Sequence, residues 1–414
     1  MRKSVFLDRA TPPSLATLVL VTGMGALNLN IFLPSLPAIA AYYDADYALV
    51  QLSVSGYLAV TAALQLFIGP LSDRYGRRPV MLASLAIFQV ATVLVILAPT
   101  ITLFLAARML QAAVVASLVL PRAMIRDVVG QEEAASRIGY VTMFMSVVPM
   151  VSPALGGFLA GLFGWHATFA AAFLFGLVVF LLFFFDAGET HHNRSTSILR
   201  QFGAYPELFR SRRFWGYALT ASFSAGAFYA FLGGAPYVAN TVLGLDAESI
   251  GAYFAIIAVG YMLGNFLSGR YAKLLGITRM MIWGSLIAAI GALIPLFLFL
   301  AGYVDPLAFF GPTFLVGMGN GMTLPSANAG MVSVRPHLAG SASGLGGSLM
   351  IGGGAVLSSA VGAALTPETG IYPLIAAMFL TMVGAMIASA YVRHVDKLAA
   401  REAGARLAPE SLSR

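Results

Sequence analysis

Long apolar stretches recur along this chain, each close to the ~20 residues a helix needs to cross ~30 Å of hydrocarbon. They fall at 14–37, 48–70, 79–98, 101–122, 136–160 and 165–185, and again at 214–239, 248–268, 280–301, 305–330, 340–363 and 371–392, with a polar interval at 186–213 between the groups. A segment in lipid must satisfy its own backbone hydrogen bonds, so the stretches are expected as helices. The fold class is therefore all-α integral membrane, with twelve transmembrane helices in two groups of six. Composition agrees, with 59% of the 414 residues hydrophobic and 10% charged. Soluble domains carry roughly 25% charged residues. A cytosolic enzyme, a nucleic-acid binder and a disordered scaffold are all excluded. Cysteine is absent, which removes disulfides, thiolate metal sites and cysteine nucleophiles. No metal and no cofactor is expected. The first stretch runs on past Pro37, too far for a cleavable signal sequence, and reads as an uncleaved span.

Basic residues set the orientation, because cytoplasmic loops collect Lys and Arg. Alternate connections hold Arg2, Lys3 and Arg9, then Arg74, Arg77 and Arg78, then Arg122, Arg126 and Arg137. The central interval holds Arg194, Arg200, Arg210, Arg212 and Arg213. Arg270, Lys273, Arg279 and Arg335 follow, and the tail carries Arg393, Lys397, Arg401, Arg406 and Arg414. That places 23 of the 24 on one side, and the last, Arg108, lies inside the fourth span. Connections on the other side carry Asp44, Asp46, Asp246, Glu248, Asp305 and Glu368 instead. Both termini are thus expected in the cytoplasm. The net charge of +7 reflects orientation and attraction to anionic headgroups rather than nucleic acid. Residues 1–185 read as an N-terminal six-helix bundle, 186–213 as a cytoplasmic linker loop and 214–414 as a second bundle with a tail. The halves repeat faintly: Leu71-Ser72-Asp73-Arg74-Tyr75 after span two matches Leu267-Ser268-Gly269-Arg270-Tyr271 after span eight at four of five positions. Two six-helix repeats about a midplane site are one plan for a secondary transporter.

Three motifs carry a resemblance. Gly69-Pro70-Leu71-Ser72-Asp73-Arg74-Tyr75-Gly76-Arg77-Arg78-Pro79 resembles the loop 2–3 signature of the major facilitator superfamily. Arg108-Met109-Leu110-Gln111 is similar to its buried arginine motif, and Pro149-Met150-Val151-Ser152-Pro153-Ala154-Leu155-Gly156-Gly157 to its antiporter motif. Asn30-Ile31-Phe32-Leu33-Pro34-Ser35-Leu36-Pro37, with Arg122-Ala123-Met124-Ile125-Arg126-Asp127, resembles the bicyclomycin/chloramphenicol-resistance (Bcr/CflA-type) branch of drug:proton antiporters. The resemblance implies two pseudo-symmetric bundles, a gate formed by Asp73, Arg74, Arg77, Arg78, Arg126 and Asp127, and an exporter's helix packing at Pro149, Pro153, Gly156 and Gly157. An arginine at mid-bilayer depth costs several kcal/mol unless it has partners or faces a cavity. Arg108 therefore either ties span four to neighbouring carbonyls or lines a water-accessible cleft, and the second reading makes Asn28, Asn30, Arg108 and Gln111 the pathway residues. Aromatics crowd spans seven and eight, and Phe228, Tyr229 and Tyr253 are candidates to line an apolar drug pocket.

The sequence departs from that branch in two places: Asn30 stands where an aspartate is typical, and His166 where an arginine is typical. None of the seventeen acids falls in mid-span, so the proton-binding group a proton-driven carrier needs is not evident. A carboxylate at the membrane boundary, such as Asp73 or Asp127, could serve; so could His166, or coupling to protons could be absent.

Other classes fit less well. An ATP-driven pump needs Gly-x4-Gly-Lys-Ser/Thr, and none of Lys3, Lys273 and Lys397 has that setting. All five histidines fall at span ends or in loops, so an enzyme is not expected. The expectation is a monomeric transporter in the bacterial cytoplasmic (inner) membrane. It would export small, largely apolar antimicrobial compounds of phenicol or bicyclomycin type by alternating access, in exchange for protons. The alternative is a facilitator or exporter of a small anionic or zwitterionic metabolite.

Overall fold

The computed structural model describes residues 4–129, 131–191, 205–335 and 338–407. Arg2, Lys3, Arg194, Arg200 and Arg414, and most of the expected linker (192–204), lie outside them. Among the described residues there are helices and no strands.

The first half has α1 (Leu15–Tyr43), α2 (Tyr47–Tyr75), α3 (Arg77–Ile96), α4 (Ile101–Val128), α5 (Gln131–Phe163) and α6 (His166–Asp186). The second has α7 (Arg212–Val242), α8 (Ala247–Leu275), α9 (Ile277–Leu300), α10 (Thr313–Ser333), α11 (Ala339–Ala364) and α12 (Tyr372–Leu407). Among the described residues, ten helices are long and apolar enough to cross a membrane. The other two, α5 and α10, have 33 and 21 residues and match the span length at ~1.5 Å per residue. Successive helices run in opposite directions, so both described chain ends share one face, called here the terminal face. The opposite side is the loop face.

Residue chemistry explains the interruptions. In α1 the helix stops at Asn30, passes through a tight turn at Leu33–Ser35 and resumes at Leu36, where Pro34 and Pro37 lack the N–H a continuous helix needs. In α4 the turn tightens over Ala112–Val115, immediately after Arg108 and Gln111. One glycine alone joins α2 to α3: Gly76, at φ +104°, a backbone that side-chain-bearing residues rarely adopt. Gly276, at φ +83°, joins α8 to α9 in the same way.

Packing repeats between the halves. The contacts of α1 with α4, α5 and α6, and of α3 with α4 and α6, recur as α7 with α10, α11 and α12, and α9 with α10 and α12. Two seams cross between halves, α2 on α11 and α5 on α8. Towards the loop face one apolar core spans both halves, with Phe32, Leu36, Val50 and Val54 packed among Phe231, Val238, Ile250, Val361 and Leu365. Towards the terminal face each half keeps its own core, one around Met81, Leu120 and Phe183 and another around Phe214, Met281 and Val392. The halves are thus sealed together at the loop face.

Residues at the start of the expected linker belong structurally to the first half. Asp186 ends α6 fully buried, and its carboxylate accepts the N–H groups of Leu7 (2.7 Å) and Ser14 (2.8 Å). At the other end, Arg212 and Arg213 already lie in the first turn of α7.

Candidate functional site

Arg108 is the largest fully buried side chain, with no exposed surface. Its Nη1 donates to Gln111 Oε1 (2.5 Å) and Asn28 Oδ1 (3.2 Å), and its Nε to the Ser53 carbonyl (3.4 Å). The guanidinium carbon stands 4.2 Å from the Phe32 ring centre, 4.6 Å from Tyr57 and 5.8 Å from Phe169. Asn28 Nδ2 in turn donates to Tyr57 Oη (3.2 Å), and Gln111 Nε2 to Thr92 Oγ1 (2.7 Å). The cation is therefore held by neutral oxygens and ring faces drawn from α1, α2, α4 and α6, and Thr92 of α3 supports it through Gln111. Among the described residues no carboxylate lies within ion-pair distance of it, and its Nη2 has no hydrogen-bond partner.

In this arrangement Arg108 reaches no water-accessible surface. It is enclosed inside the first half, and one hydrogen bond follows the alternative reading, a tie to a backbone carbonyl. Phe32, at the break in α1, lies over one face of the guanidinium. Of the residues named with it, Asn28 and Gln111 bond Arg108 directly. Asn30 does not; its Nδ2 donates to Ala26 O (2.7 Å) on its own helix, and its Oδ1 is buried and unpartnered. Of the aromatic candidates, Tyr229 stands within electrostatic reach of Tyr57 in this cluster, whereas Tyr253 belongs to a different one. Tyr253 stacks on Phe310 at 5.0 Å, in a cluster with Phe231, Phe254 and Phe309 near the sealed loop face. Tyr229 lies against α11, where a Cβ on Gly354 would strike its ring, and Phe228 is beside it at 6.1 Å. His166 stacks on Trp165 (3.6 Å) at the loop face and meets Tyr42 edge-on.

The signature loop forms a second cluster, on the terminal face. Arg77 pairs with Asp73 one turn back, bonds Asp127 Oδ2 through its Nε (3.0 Å), and donates to Ser72 Oγ. This ties the end of α2, the start of α3 and the end of α4. Glu189, just beyond α6, accepts the backbone N–H groups of Arg77 (2.9 Å) and Arg78 (3.2 Å), a carboxylate at the positive end of α3. A Cβ on Gly76 would collide with that carboxylate, so Gly76 is needed for space as well as for its φ. Arg78 bonds the carbonyls of Ala187 (2.6 Å) and Phe184 (3.0 Å). These partners of Arg77 and Arg78 all belong to the first half. Of the other expected gate residues, Arg74 lies exposed over the Tyr75 ring (5.4 Å). Arg126 is exposed and makes no ion pair among the described residues.

The proline–glycine motif of α5 divides its work. Gly156 lies against α1, where a Cβ would strike the Ile31 carbonyl at the break. Gly157 lies against α8, where a Cβ would strike the Ala247 carbonyl, and Gly251 answers it by lying against Pro153. Pro149 and Pro153 are within the helix. On the other seam, Gln51 Nε2 donates to Ser358 Oγ (2.7 Å) and Ser348 Oγ to Ala62 O (2.8 Å), and beside it Tyr47 Oη of α2 donates to Gly233 O of α7 (2.8 Å).

Several participants were not singled out from sequence: the rings of Phe32, Tyr57 and Phe169, Thr92, Ser53, Glu189, Gln51, and the buried pair Ser224–Asn320 between α7 and α10. One signal was available. The offset of 196 that relates the two loop motifs also relates Tyr57 to Tyr253 and Asn28 to Ser224, marking positions where each half builds its interior. Among the described residues no cluster of potential metal ligands occurs.

Comparisons with known proteins match this architecture. The profile of the Major Facilitator Superfamily matches residues 18–359. The chain is 32% identical over 369 residues to the uncharacterized MFS-type transporter YdgK of Bacillus subtilis, covering 87% of this chain and 90% of that one. It is 28% identical over 356 residues to a bicyclomycin resistance protein homolog of Haemophilus influenzae (83% and 87% covered) and over 372 residues to a chloramphenicol resistance protein of Pseudomonas aeruginosa (87% of each). A bacterial homolog of the human lysosomal transporter Spinster, solved in an inward-facing and occupied conformation, superposes with a TM-score of 0.70 at 19% identity, over 92% of this chain and 96% of that one. The chain belongs to the Major Facilitator Superfamily, within its bicyclomycin/chloramphenicol-resistance (Bcr/CflA-type) branch.

Proposed function

We propose that this transporter exports small, largely apolar antimicrobial compounds of phenicol or bicyclomycin type across the bacterial cytoplasmic membrane, in exchange for protons. Near full-length similarity to proteins named for chloramphenicol and bicyclomycin resistance carries the reading. In this reading the terminal face is cytoplasmic, as the basic residues on that side suggest. The core shared at the loop face then makes the present arrangement closed to the outside. Transport follows by alternating access, the halves rocking along the α2–α11 and α5–α8 seams. Without an acid in mid-span, proton exchange falls to the boundary carboxylates Asp73 and Asp127, which share Arg77.

The test is efflux of chloramphenicol from cells carrying the protein, with and without a protonophore. Loss of efflux on adding the protonophore is expected; continued efflux removes proton exchange from the proposal. Asp127→Asn should weaken coupling, read as a flatter response of efflux to an imposed pH gradient in liposomes.

One observation favours a second reading. The unpartnered Nη2 of a buried, acid-free arginine would suit the carboxylate of an anionic or zwitterionic metabolite. Uptake assays of both substrate classes in the same liposomes separate the two.

A further inference from the structure

We propose that the N-terminal arm, residues 4–14, is a membrane-interface anchor that seats Val5, Phe6 and Leu7 at the headgroup–acyl boundary of the terminal-face leaflet, with anionic phospholipid as its partner. The inference rests on the chain's spanning a bilayer and not on what it transports.

The depth of the arm is fixed by α6. That helix has 21 residues, about 31 Å at ~1.5 Å per residue, which matches the hydrocarbon thickness. Its last residue, Asp186, therefore sits at the edge of the hydrocarbon. Phe185 and Leu181 beside it are 52% and 45% exposed, on a surface that meets lipid. The arm is bonded directly to this level: Asp186, itself fully buried, holds the Leu7 and Ser14 N–H groups with its two oxygens. Gly188 N donates to Thr11 O (2.9 Å), and Val5 N to Thr11 Oγ1 (3.1 Å), closing the loop on itself. Leu7 adopts φ +61°, a left-handed backbone that a leucine takes only when its surroundings impose it.

What the arm presents outward is the second observation. Val5, Phe6 and Leu7 are 53%, 57% and 54% exposed, three consecutive apolar side chains at a depth where water gives way to acyl chains. Arg9 is exposed close by, and Arg2 and Lys3 precede the trio in sequence. Apolar side chains next to cations are the composition of a segment that lies in the interface of an anionic leaflet.

The test uses the absence of native cysteine. Phe6→Cys, labelled with a nitroxide, is reconstituted in phosphatidylcholine vesicles with and without phosphatidylglycerol, and collision with oxygen is compared with collision by a water-soluble nickel chelate. Relative to the same label on Arg9→Cys, position 6 should favour oxygen severalfold, and phosphatidylglycerol should increase the difference. A label at 6 as open to the nickel chelate as at 9 would overturn the anchor. Screening from both reagents would do so too, by showing a protein surface there instead. Immersion that ignores phosphatidylglycerol would remove the anionic lipid as partner. Adding Asp186→Asn should free the arm and expose the label to nickel, and an unchanged label would refute the clamp. Should that variant fail to insert, the Phe6→Cys result in the parent chain still decides the proposal.

Discussion

At Arg108 the opposing effects can be weighed. Removing a cation from water costs several kcal/mol even after relaxation, and no carboxylate offsets it here. Hydrogen bonds to Asn28, Gln111 and the Ser53 carbonyl contribute, each worth about 1.5–3 kcal/mol when one partner is charged. The rings of Phe32 and Tyr57 add cation–π attraction of about 2 kcal/mol at a desolvated site. Geometry selects arginine for this, because a planar fork can bond at its edge while stacking on its faces, and a lysine cannot do both. Arg108→Lys is expected to cut export at least tenfold, with the protein still inserted, as measured by drug efflux against membrane abundance. Near-normal export would mean that the cage needs charge alone. Asn30→Asp makes a distinct prediction: it removes the donor to Ala26 O and introduces a proton-binding group, so the pH dependence of efflux should steepen. An unchanged profile would place residue 30 off the proton route.

Helices meet closely at the seams because glycine removes the side chains that would keep them apart. Gly156 and Gly157 are neighbours in sequence, yet one accommodates the broken α1 and the other the opposite half. Gly156→Ala should therefore destabilise the first half by about 1–3 kcal/mol, as overpacking does, seen as a lower midpoint of thermal unfolding in detergent. Gly157→Leu should block the rocking motion instead, lowering transport with little change in unfolding. The α2–α11 seam has a polar latch near the loop face. Gln51 reaches into a recess left by Gly233 and Gly362 and bonds Ser358. Removing a hydrogen bond worth about 1 kcal/mol in Gln51→Ala should shift the two access states about fivefold towards loop-face opening. A single cysteine at Ala235, buried in the shared core, should then react faster with an impermeant thiol reagent from that side. No change in labelling would show that apolar packing alone holds the seam shut.

For the molecule as a whole, a separate core in each half at the terminal face and one shared core at the loop face make the loop face the closed end. In a bilayer this asymmetry means something only with an orientation. The basic residues predict that both termini are cytoplasmic, which reporter fusions at each end would check; activity of a periplasm-specific reporter at either end would invert the assignment. Much of this was legible in the sequence. Apolar length specified the number of helices, since a span must match the bilayer whatever its neighbours are. The signature at Gly69–Pro79 located the junction of α2 and α3, because a one-residue link requires a glycine and the anchoring arginines are long and always charged, while charge distribution gives the direction that the reporter fusions test.

The details of the site were less legible because contacts between distant spans set them. Sequence alone identified Arg108 as a buried cation needing partners, and found no interior acid to serve. It also showed Gly156 and Gly157 as places of close approach. Only the tertiary structure decided that three rings from other helices complete the cage around Arg108, that Asn30 turns back onto its own backbone, and that Asp186 and Glu189 are staples of the first half and not part of a free linker. The physical reason is that hydrophobic length and charge asymmetry are summed along the chain, whereas a buried polar group takes whichever acceptor the packing of remote helices brings within about 3 Å.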